Sequence, residues 1–160
     1  VENKPCSDDR YEVLWGVTVN NENNLISSCT NILTLEHNSS KDYAIFQVYP
    51  VPEYSLELRE EDTLSLKQKI SIISHPRKRP QEWSTWCEVN EFLSEQVDDR
   101  TQFLYSCDTE KGSSGAPVLD DSYKVIGIHN FYNSKFELNG ATNLHRTPIL
   151  KILNLYRIAS

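Results

Sequence analysis

Residues 107–118 read Cys-Asp-Thr-Glu-Lys-Gly-Ser-Ser-Gly-Ala-Pro-Val, and this stretch decides the fold prediction. Gly112 stands two residues before Ser114, where a residue without a Cβ lets the backbone fold back and turns both N–H groups the same way. Gly115 leaves room beside the Ser114 hydroxyl, and Pro117 stiffens the exit into an apolar strand. Acyl transfer requires a hydroxyl at such a turn. We therefore predict Ser114 as a nucleophile, with the N–H groups of Gly112 and Ser114 as an oxyanion hole.

Around this stretch, the sequence predicts an all-β chain that ends in one helix. Polar turns are expected at 20–24 and 94–100. A charged segment at 51–66, which follows Pro50 and contains Pro52, connects two halves. Thr147 and Pro148 suit a helix start, because apolar residues recur at helical spacing after them. Short runs of aromatic and β-branched residues predict strands at 11–15, 17–19, 32–35, 43–48, 70–73, 83–92, 101–107, 116–119, 125–129 and 141–144. Such spacing favours a sandwich or a barrel.

Composition excludes several classes of function. The chain has 160 residues, enough for one domain, and a net charge of −7 that argues against nonspecific binding to nucleic acid or anionic membranes. It holds no run of 18 apolar residues, so no membrane span is expected. No cysteine pair has zinc-site spacing and no acidic cluster has the spacing of a calcium loop. We expect neither a metal nor a cofactor.

The four cysteines, Cys6, Cys29, Cys87 and Cys107, are far apart in the chain. An even number fits two disulfides in a secreted or periplasmic protein, and four buried thiols are the alternative. Cys87 and Cys107 fall on the two strands expected to form a hairpin, so they are one candidate pair, and Cys6 with Cys29 is the other. Four cysteines allow three connectivities.

Two motifs resemble those of trypsin-like serine peptidases with the chymotrypsin fold. Gly112-x-Ser114-Gly115-x-Pro117 is similar to the nucleophile motif, and Asp42-Tyr43-Ala44-Ile45 to the motif of the triad aspartate. The resemblance implies a double β-barrel whose first barrel is incomplete. Residues 1–55 would carry Asp42, and residues 56–160 would carry Ser114, the substrate pocket and the helix. It also implies a serine endopeptidase that cleaves protein or peptide substrates through an acyl-enzyme.

The third member of the triad is missing from the chain. The family's histidine lies about 45 residues before its aspartate, which here falls upstream of Val1. His37 lies only five residues before Asp42, too near to bridge Asp42 and Ser114. The resemblance thus implies a histidine supplied from outside the chain, by a bound short N-terminal chain or by an omitted segment. A catalytically inactive, protease-like binding module is the alternative, and a viral-type processing peptidase is disfavoured by charge and cysteines.

Within the family, the chain most resembles the V8-type glutamyl endopeptidases. In those enzymes a threonine and a histidine contact the acidic P1 side chain, and the matching positions here are Thr109 and His129. Asp108 matches the acid with which trypsin-type enzymes bind Lys or Arg, and it would repel Glu. Phe131 stands where the group usually has glycine and would obstruct the cleft. We expect an acidic P1 preference, with His129 as a structural core residue in the alternative.

Overall fold

The computed structural model describes residues 4–6, 11–20, 24–93 and 100–158. It confirms the prediction of an all-β chain that ends in one helix. In chain order the strands are β1 (Lys4–Pro5), β2 (Glu12–Leu14), β3 (Ile26–His37), β4 (Asp42–Tyr49), β5 (Lys69–Ser74), β6 (Glu82–Trp83), β7 (Cys87–Leu93), β8 (Gln102–Tyr105), β9 (Pro117–Asp120), β10 (Val125–Asn133) and β11 (Leu138–Asn143). Two 3₁₀ turns (Pro76–Lys78 and Leu144–Arg146) and α1 (Ile149–Ile158) complete the fold.

The second half of the chain closes into a six-stranded antiparallel barrel. Its strands follow the order β5-β7-β8-β11-β10-β9, and β9 pairs back with β5 through Ser71 and Leu119. The short β6 adds to β5 outside the ring. Since every barrel strand has two neighbours, one face of each strand fills the interior. The core consists of Leu64, Ile70, Ile72, Val89, Phe103, Tyr105, Cys107, Ala116, Val118, Ile126 and Ala141.

Two glycines of the barrel make room for phenylalanine rings. A Cβ built on Gly127 would lie 2.7 Å from the ring of fully buried Phe103. A Cβ built on Gly140 would lie 2.3 Å from the ring of Phe131. Each ring therefore packs directly against the backbone of a glycine. A residue with a side chain at either glycine position would displace the ring.

The first half forms an open sheet of four antiparallel strands. β3 is its centre and pairs with β1, β2 and β4. Trp15 Nε1 donates to Ser27 Oγ over 2.7 Å, which fastens the segment after β2 to β3. Several large apolar side chains of the sheet face solvent, including Leu35, Phe46 and Tyr49. Without closure, the sheet leaves apolar surface uncovered.

The two halves meet through the charged connection and the C-terminal helix. Glu57 and Arg59 exchange backbone hydrogen bonds with Val125, beside the isolated bridge from Leu58 to that residue. The Arg59 guanidinium lies 3.5 Å from the Asp120 carboxylate, and both side chains are buried. Tyr43, Leu144 and Ile149 form a second apolar cluster between β4 and the start of α1. The predicted division at residue 55 stays a prediction.

Both candidate disulfides form. Cys6–Cys29 joins β3 to the segment after β1. Cys87–Cys107 joins the start of β7 to the segment between β8 and the turn of Ser114. Each closes a loop of about twenty residues, a size for which a disulfide restricts the unfolded chain substantially. No described helix has the length and apolar character needed to cross a bilayer.

Two strand predictions are wrong. Residues 17–19 do not form a strand, because Gly16 has a φ of +70° and accepts a hydrogen bond from Thr18 N, which turns the chain. The strand predicted at 83–92 is split between β6 and β7, because Thr85 has a φ of +63°. The predicted turns at 20–24 and 94–100 lie mostly outside the described residues. The predicted cap of α1 is confirmed, since Thr147 Oγ1 accepts from Ile149 N.

Candidate active site

Ser114 lies on an exposed, tightly held turn between β8 and β9. Gly112 and Gly115 have φ of +99° and +87°, values that residues with a Cβ rarely adopt. Gly115 N donates to His129 O over 2.7 Å, which fixes the exit of the turn on β10. On the other side, Arg77 N donates to Lys111 O over 2.8 Å. The neighbouring structure therefore holds the backbone around an exposed hydroxyl.

The backbone N–H groups of this turn fall into two classes. Ser113 N donates to Glu110 O and Ala116 N donates to Ser113 O. In the described part of the chain, the N–H groups of Gly112 and Ser114 have no hydrogen-bond partner. The two residues predicted as an oxyanion hole are therefore free to donate to a ligand, and their role stays a prediction.

Ser113 anchors the turn from beneath, a role that the sequence did not indicate. Its side chain is buried, with 1% exposed, and its Oγ donates to Ser74 Oγ over 3.1 Å. Ser74 ends β5, a strand of the barrel. The serine next to Ser114 is therefore structural, and the two adjacent hydroxyls point to different environments. A run of two serines in a sequence does not tell which is buried.

A small ion-pair network joins the turn of Ser114 to the 3₁₀ turn of residues 76–78. The Glu110 carboxylate lies 2.5 Å from Arg77 Nε and 2.6 Å from Arg79 Nη2. Arg79 Nε also donates to Glu82 over 2.6 Å. The hydrogen bonds from Arg79 lower the pKa of both glutamates. Each exposed ion pair contributes little to stability by itself. Because Arg77 and Arg79 both contact the Glu110 carboxylate, the two pairs together link the turn of Ser114 to the 3₁₀ turn.

A cavity of about 210 Å³ opens beside the turn of Ser114. Two of the three predicted substrate-contact residues, Asp108 and Thr109, line it together with the buried Ser113. His129 is not among its lining residues. The full lining comprises Ser74, Pro76, Glu82, Trp83, Ser84, Asp108, Thr109, Glu110 and Ser113.

His129 is buried and joined to Thr109 through two neighbouring residues of β11. Its Nδ1 lies 2.5 Å from Tyr105 Oη and 3.2 Å from Gly140 O. Thr109 Oγ1 donates to Asn139 Oδ1 over 2.8 Å. Burial lowers the pKa of His129. The sequence did not indicate Tyr105, which stands in an apolar strand and gives no sign of its partner.

Asp42 begins β4, at the edge where the open sheet meets the barrel. Its carboxylate lies 3.1 Å from Nδ1 of His37, and the two side chains are 46% and 79% exposed. Its backbone N–H donates to Thr142 Oγ1 over 3.2 Å. Asn130 Nδ2 donates to the same hydroxyl over 2.9 Å. The strand of Asp42 is thereby attached to β10 and β11.

This attachment links Asp42 to Ser114 through β10. His129 O of this strand accepts from Gly115 N in the turn of Ser114, and the next residue, Asn130, donates to Thr142 Oγ1, the hydroxyl of β11 that accepts from Asp42 N. Within the described residues, Ser114 and Asp42 share no hydrogen bond, and no histidine is hydrogen-bonded to Ser114. The two predicted catalytic residues are thus connected only indirectly, through β10 and β11, and their catalytic roles stay predictions.

The other two histidines, His75 and His145, have no hydrogen bond to Ser114 among the described residues. His75 Nδ1 lies 3.2 Å from Arg79 O, in the 3₁₀ turn. His145 follows β11, and burial lowers its pKa. Across the described ranges, no group of three or more His, Cys, Asp or Glu side chains could hold a metal ion.

A family model described as the trypsin-like peptidase domain matches residues 14–128 of the chain. This range includes both Asp42 and Ser114. No curated protein matches the sequence.

Solved structures with the same fold include three proteases. The Rv3671c protease of M. tuberculosis, in an inactive form, is 18% identical with a TM-score of 0.58, over 76% of this chain and 64% of that one. A Glu endopeptidase is 20% identical with a TM-score of 0.64, over 84% and 65%. The HtrA-type protease AlgW is 15% identical with a TM-score of 0.64, over 82% and 42%. The chain thus spans 42–65% of their lengths, and the trypsin-like fold is confirmed.

Proposed function

The chain belongs to the trypsin-like peptidase domain family, and from this premise we propose that it is a serine endopeptidase with Ser114 as nucleophile. The observation that carries the proposal is the turn of residues 112–115. Ser114 is exposed there, and the N–H groups of Gly112 and Ser114 have no partner among the described residues. A nucleophile with two free donors beside it is what amide hydrolysis through a tetrahedral intermediate requires.

The reaction follows from these groups and one imidazole. Ser114 Oγ attacks the carbonyl carbon and its proton passes to the imidazole, while the Gly112 and Ser114 N–H groups stabilise the oxyanion. The imidazole then protonates the amine as the C–N bond breaks, which leaves an acyl-enzyme. Water deprotonated by the same imidazole releases the acid and frees Ser114. Asp42 accepts the other N–H of the ring and holds its tautomer.

We propose that this imidazole belongs to a segment outside residues 1–160, on a short N-terminal chain or an upstream stretch. Two features support it. The open sheet exposes large apolar side chains, among them Leu35 and Phe46, that further strands would cover. Asn130 Oδ1, beside the contact between Thr142 and Asp42, is buried without a partner in the described part of the chain. Buried acceptors are normally satisfied. The contact between the Asp42 carboxylate and His37 is exposed and therefore weak, so an imidazole from the additional segment could replace His37 beside Asp42.

The proposed substrate is a protein or peptide with an acidic P1 residue. Thr109 lines the cavity beside the Ser114 turn, and His129 is connected to it through Asn139 and Gly140. Asp108 lines the same cavity and acts against a carboxylate, so we expect the preference to be modest. Two disulfides support a secreted or periplasmic location.

A catalytically inactive, protease-like binding module is the second candidate. It is favoured by the pairing of Asp42 with His37, which occupies the carboxylate that would orient a base. Loss of the histidine removes nearly all the catalysis that the triad provides, because its members act as a unit. In this case the fold would present its cavity as a peptide-binding site.

Fluorophosphonate labelling of the protein in its native, purified form, read by intact mass, separates the two candidates. We expect one adduct on this chain that disappears in Ser114→Ala. Ser122→Ala is the matched control, since Ser122 is an exposed serine in the turn after β9, and its adduct should persist. A copurifying peptide in the same spectrum would identify the source of the imidazole. A folded protein that takes no label would refute the peptidase proposal and favour the binding module.

A further inference from the structure

One sequence motif is not used by the proposed peptidase site. Asn38-Ser39-Ser40 has the form Asn-x-Ser without proline in the middle, which is the acceptor pattern for N-linked glycans in exported proteins. It is the only triplet of this form in the 160 residues. Because patterns of three residues also arise by chance, the surroundings of Asn38 decide whether its side chain can carry a glycan.

Asn38 lies at the tip of the hairpin that joins β3 to β4. Residues 38–40 are outside both strands, and Asn38 N donates to Lys41 O over 2.8 Å, which closes the turn. Asn38 is exposed, as are its neighbours His37 and Ser39. At an exposed loop tip of this kind, a bulky and hydrated modification displaces no packed structure.

The two polar atoms of the Asn38 amide have different tasks. Oδ1 holds the turn, since it accepts from Ser40 N over 3.0 Å, from Lys41 N over 2.8 Å and from Ser40 Oγ over 3.1 Å. Nδ2 makes one hydrogen bond within the described part of the chain, 3.1 Å long, to Glu36 Oε1. An amide nitrogen carries two protons, so one of them is available for substitution. A glycan on Nδ2 therefore leaves both the turn and the contact with Glu36 in place.

The side of the hairpin that carries Asn38 Nδ2 is not the side of the Asp42 carboxylate. Successive side chains of a strand point to opposite faces, so Glu36 and His37 lie on different sides of β3. Tyr43 Oη donates to Glu36 over 2.7 Å on one side, and His37 contacts Asp42 on the other. Because Nδ2 bonds to Glu36, a sugar attached to it does not occupy the place of the imidazole that Asp42 is proposed to orient.

We propose that Asn38 is an N-glycosylation site of the exported protein. Nδ2 forms a bond to C1 of a sugar, while the bond from C1 to the phosphate oxygen of a lipid-linked oligosaccharide diphosphate breaks. The amide nitrogen loses one proton, and the lipid diphosphate is the leaving group. Ser40 supplies the hydroxyl that the acceptor pattern requires. The inference is independent of catalysis and rests on the export that the two disulfides support.

The first test is the mass of the peptide that contains Asn38, taken from the native, purified protein. Peptide-N-glycosidase in water labelled with ¹⁸O converts a glycosylated asparagine into labelled aspartate and leaves an unmodified asparagine unchanged. We expect the label at position 38 in most of the molecules and at no other asparagine, together with a loss of mass from the intact protein. Unmodified Asn38 in most of the molecules overturns the inference.

The second test compares neighbouring positions in protein secreted from cells that N-glycosylate their exported proteins. Ser40→Ala should abolish the glycan, because it removes the hydroxyl of the acceptor pattern and leaves Asn38 in place. Ser39→Ala is the matched control, since Ser39 is exposed at the variable middle position, and it should keep the full mass of the glycan. Asn38→Asp should lose the glycan as well, while its carboxylate still accepts from Ser40 N and Lys41 N. A glycan that persists in Ser40→Ala or Asn38→Asp would refute the inference.

The modification and the peptidase proposal fail separately. An unglycosylated protein that takes the fluorophosphonate contradicts the modification alone. A glycosylated protein that takes no fluorophosphonate contradicts the peptidase alone. If a variant is not secreted, the occupancy of Asn38 in the native protein still decides.

Discussion

The closed barrel and the open sheet are built from the same kind of antiparallel strand, and each contains one disulfide. They differ in what happens to their apolar side chains. Phe103 and Ile126 of the barrel are fully buried, whereas Leu35 is 69% and Tyr49 73% exposed in the sheet. Strand-forming sequence is therefore not enough to build a core. Closure of the sheet provides it, because only then does each strand have an interior face.

The same difference separates the two predicted catalytic residues. The barrel fixes the turn of Ser114 on both sides, through Lys111 O and through Gly115 N. Asp42 belongs to the open sheet, and two hydrogen bonds of 3.2 Å and 3.4 Å between its backbone and the Thr142 hydroxyl attach it to the barrel. We therefore expect the nucleophile to be rigidly placed and the aspartate to depend on how the sheet is covered.

The largest expected effect concerns Asp42. In the active form of the protein, Asp42→Asn should lower kcat by about 10⁴-fold, because an asparagine holds the imidazole in the wrong tautomer. Asp121→Asn is the control, since Asp121 is exposed in the turn after β9. Hydrolysis rates measured with one peptide substrate compare the two variants. Equal activity of Asp42→Asn and Asp121→Asn would remove Asp42 from the mechanism.

Two substitutions of phenylalanine by alanine compare how much a buried ring of the barrel and an exposed ring of the open sheet contribute to stability. Phe103→Ala should lower the free energy of unfolding by about 3–5 kcal/mol, since it empties the centre of the barrel. Phe46→Ala, on a ring that is 44% exposed in the sheet, should cost at most about 1 kcal/mol. Urea denaturation gives both values. Similar losses in the two variants would mean that further structure buries the sheet in solution.

The smallest expected effect is the contribution of His129 to the pH dependence of the free energy of unfolding. Because burial lowers the pKa of His129 in the folded protein, only the unfolded chain takes up this proton just below pH 6.5. Stability is thus full above pH 6.5 and decreases as the pH falls toward the folded-state pKa, and His145 contributes in the same direction.

Urea midpoints at pH 8, 6 and 5 measure this slope. His129→Gln should make it shallower, and an unchanged slope would contradict the assignment. The two glutamates beside Arg79 do not disturb the comparison. Their lowered pKa values place their own loss of stability below pH 4.5.

Much of this structure could be predicted because its signals are local. The apolar residues of β4 and β10 and the cap at Thr147 were predicted from residue types and spacing. The two disulfide pairs were candidates among three connectivities, and the structure contains both. The split between β6 and β7 could not be predicted, because nothing in the sequence indicates that Thr85 has a positive φ. The start of β3 was missed because its first residues are mostly polar and are held by pairing with β2.

The site was predictable only in part, for the same reason. Ser114 has a compact local motif, and its loop was found from it. The contact between Asp42 and Thr142 joins residues one hundred positions apart, and the contact between Tyr105 and His129 joins two different strands. Neither partner reveals the other until the barrel closes. Long-range hydrogen bonds of this kind depend on tertiary structure that local pattern does not contain.

The packing of Phe103 on Gly127 and of Phe131 on Gly140 has a consequence for the history of the family. Neither partner of such a pair is expected to change alone, because a methyl group on the glycine would occupy the place of the ring. Among diverged sequences, the two positions should therefore covary, with a larger residue at 127 or 140 accompanied by a smaller one at 103 or 131. We expect ancestral sequences to have changed from one combination to the other through an intermediate with a small residue at both positions, because this intermediate leaves a cavity but causes no steric clash.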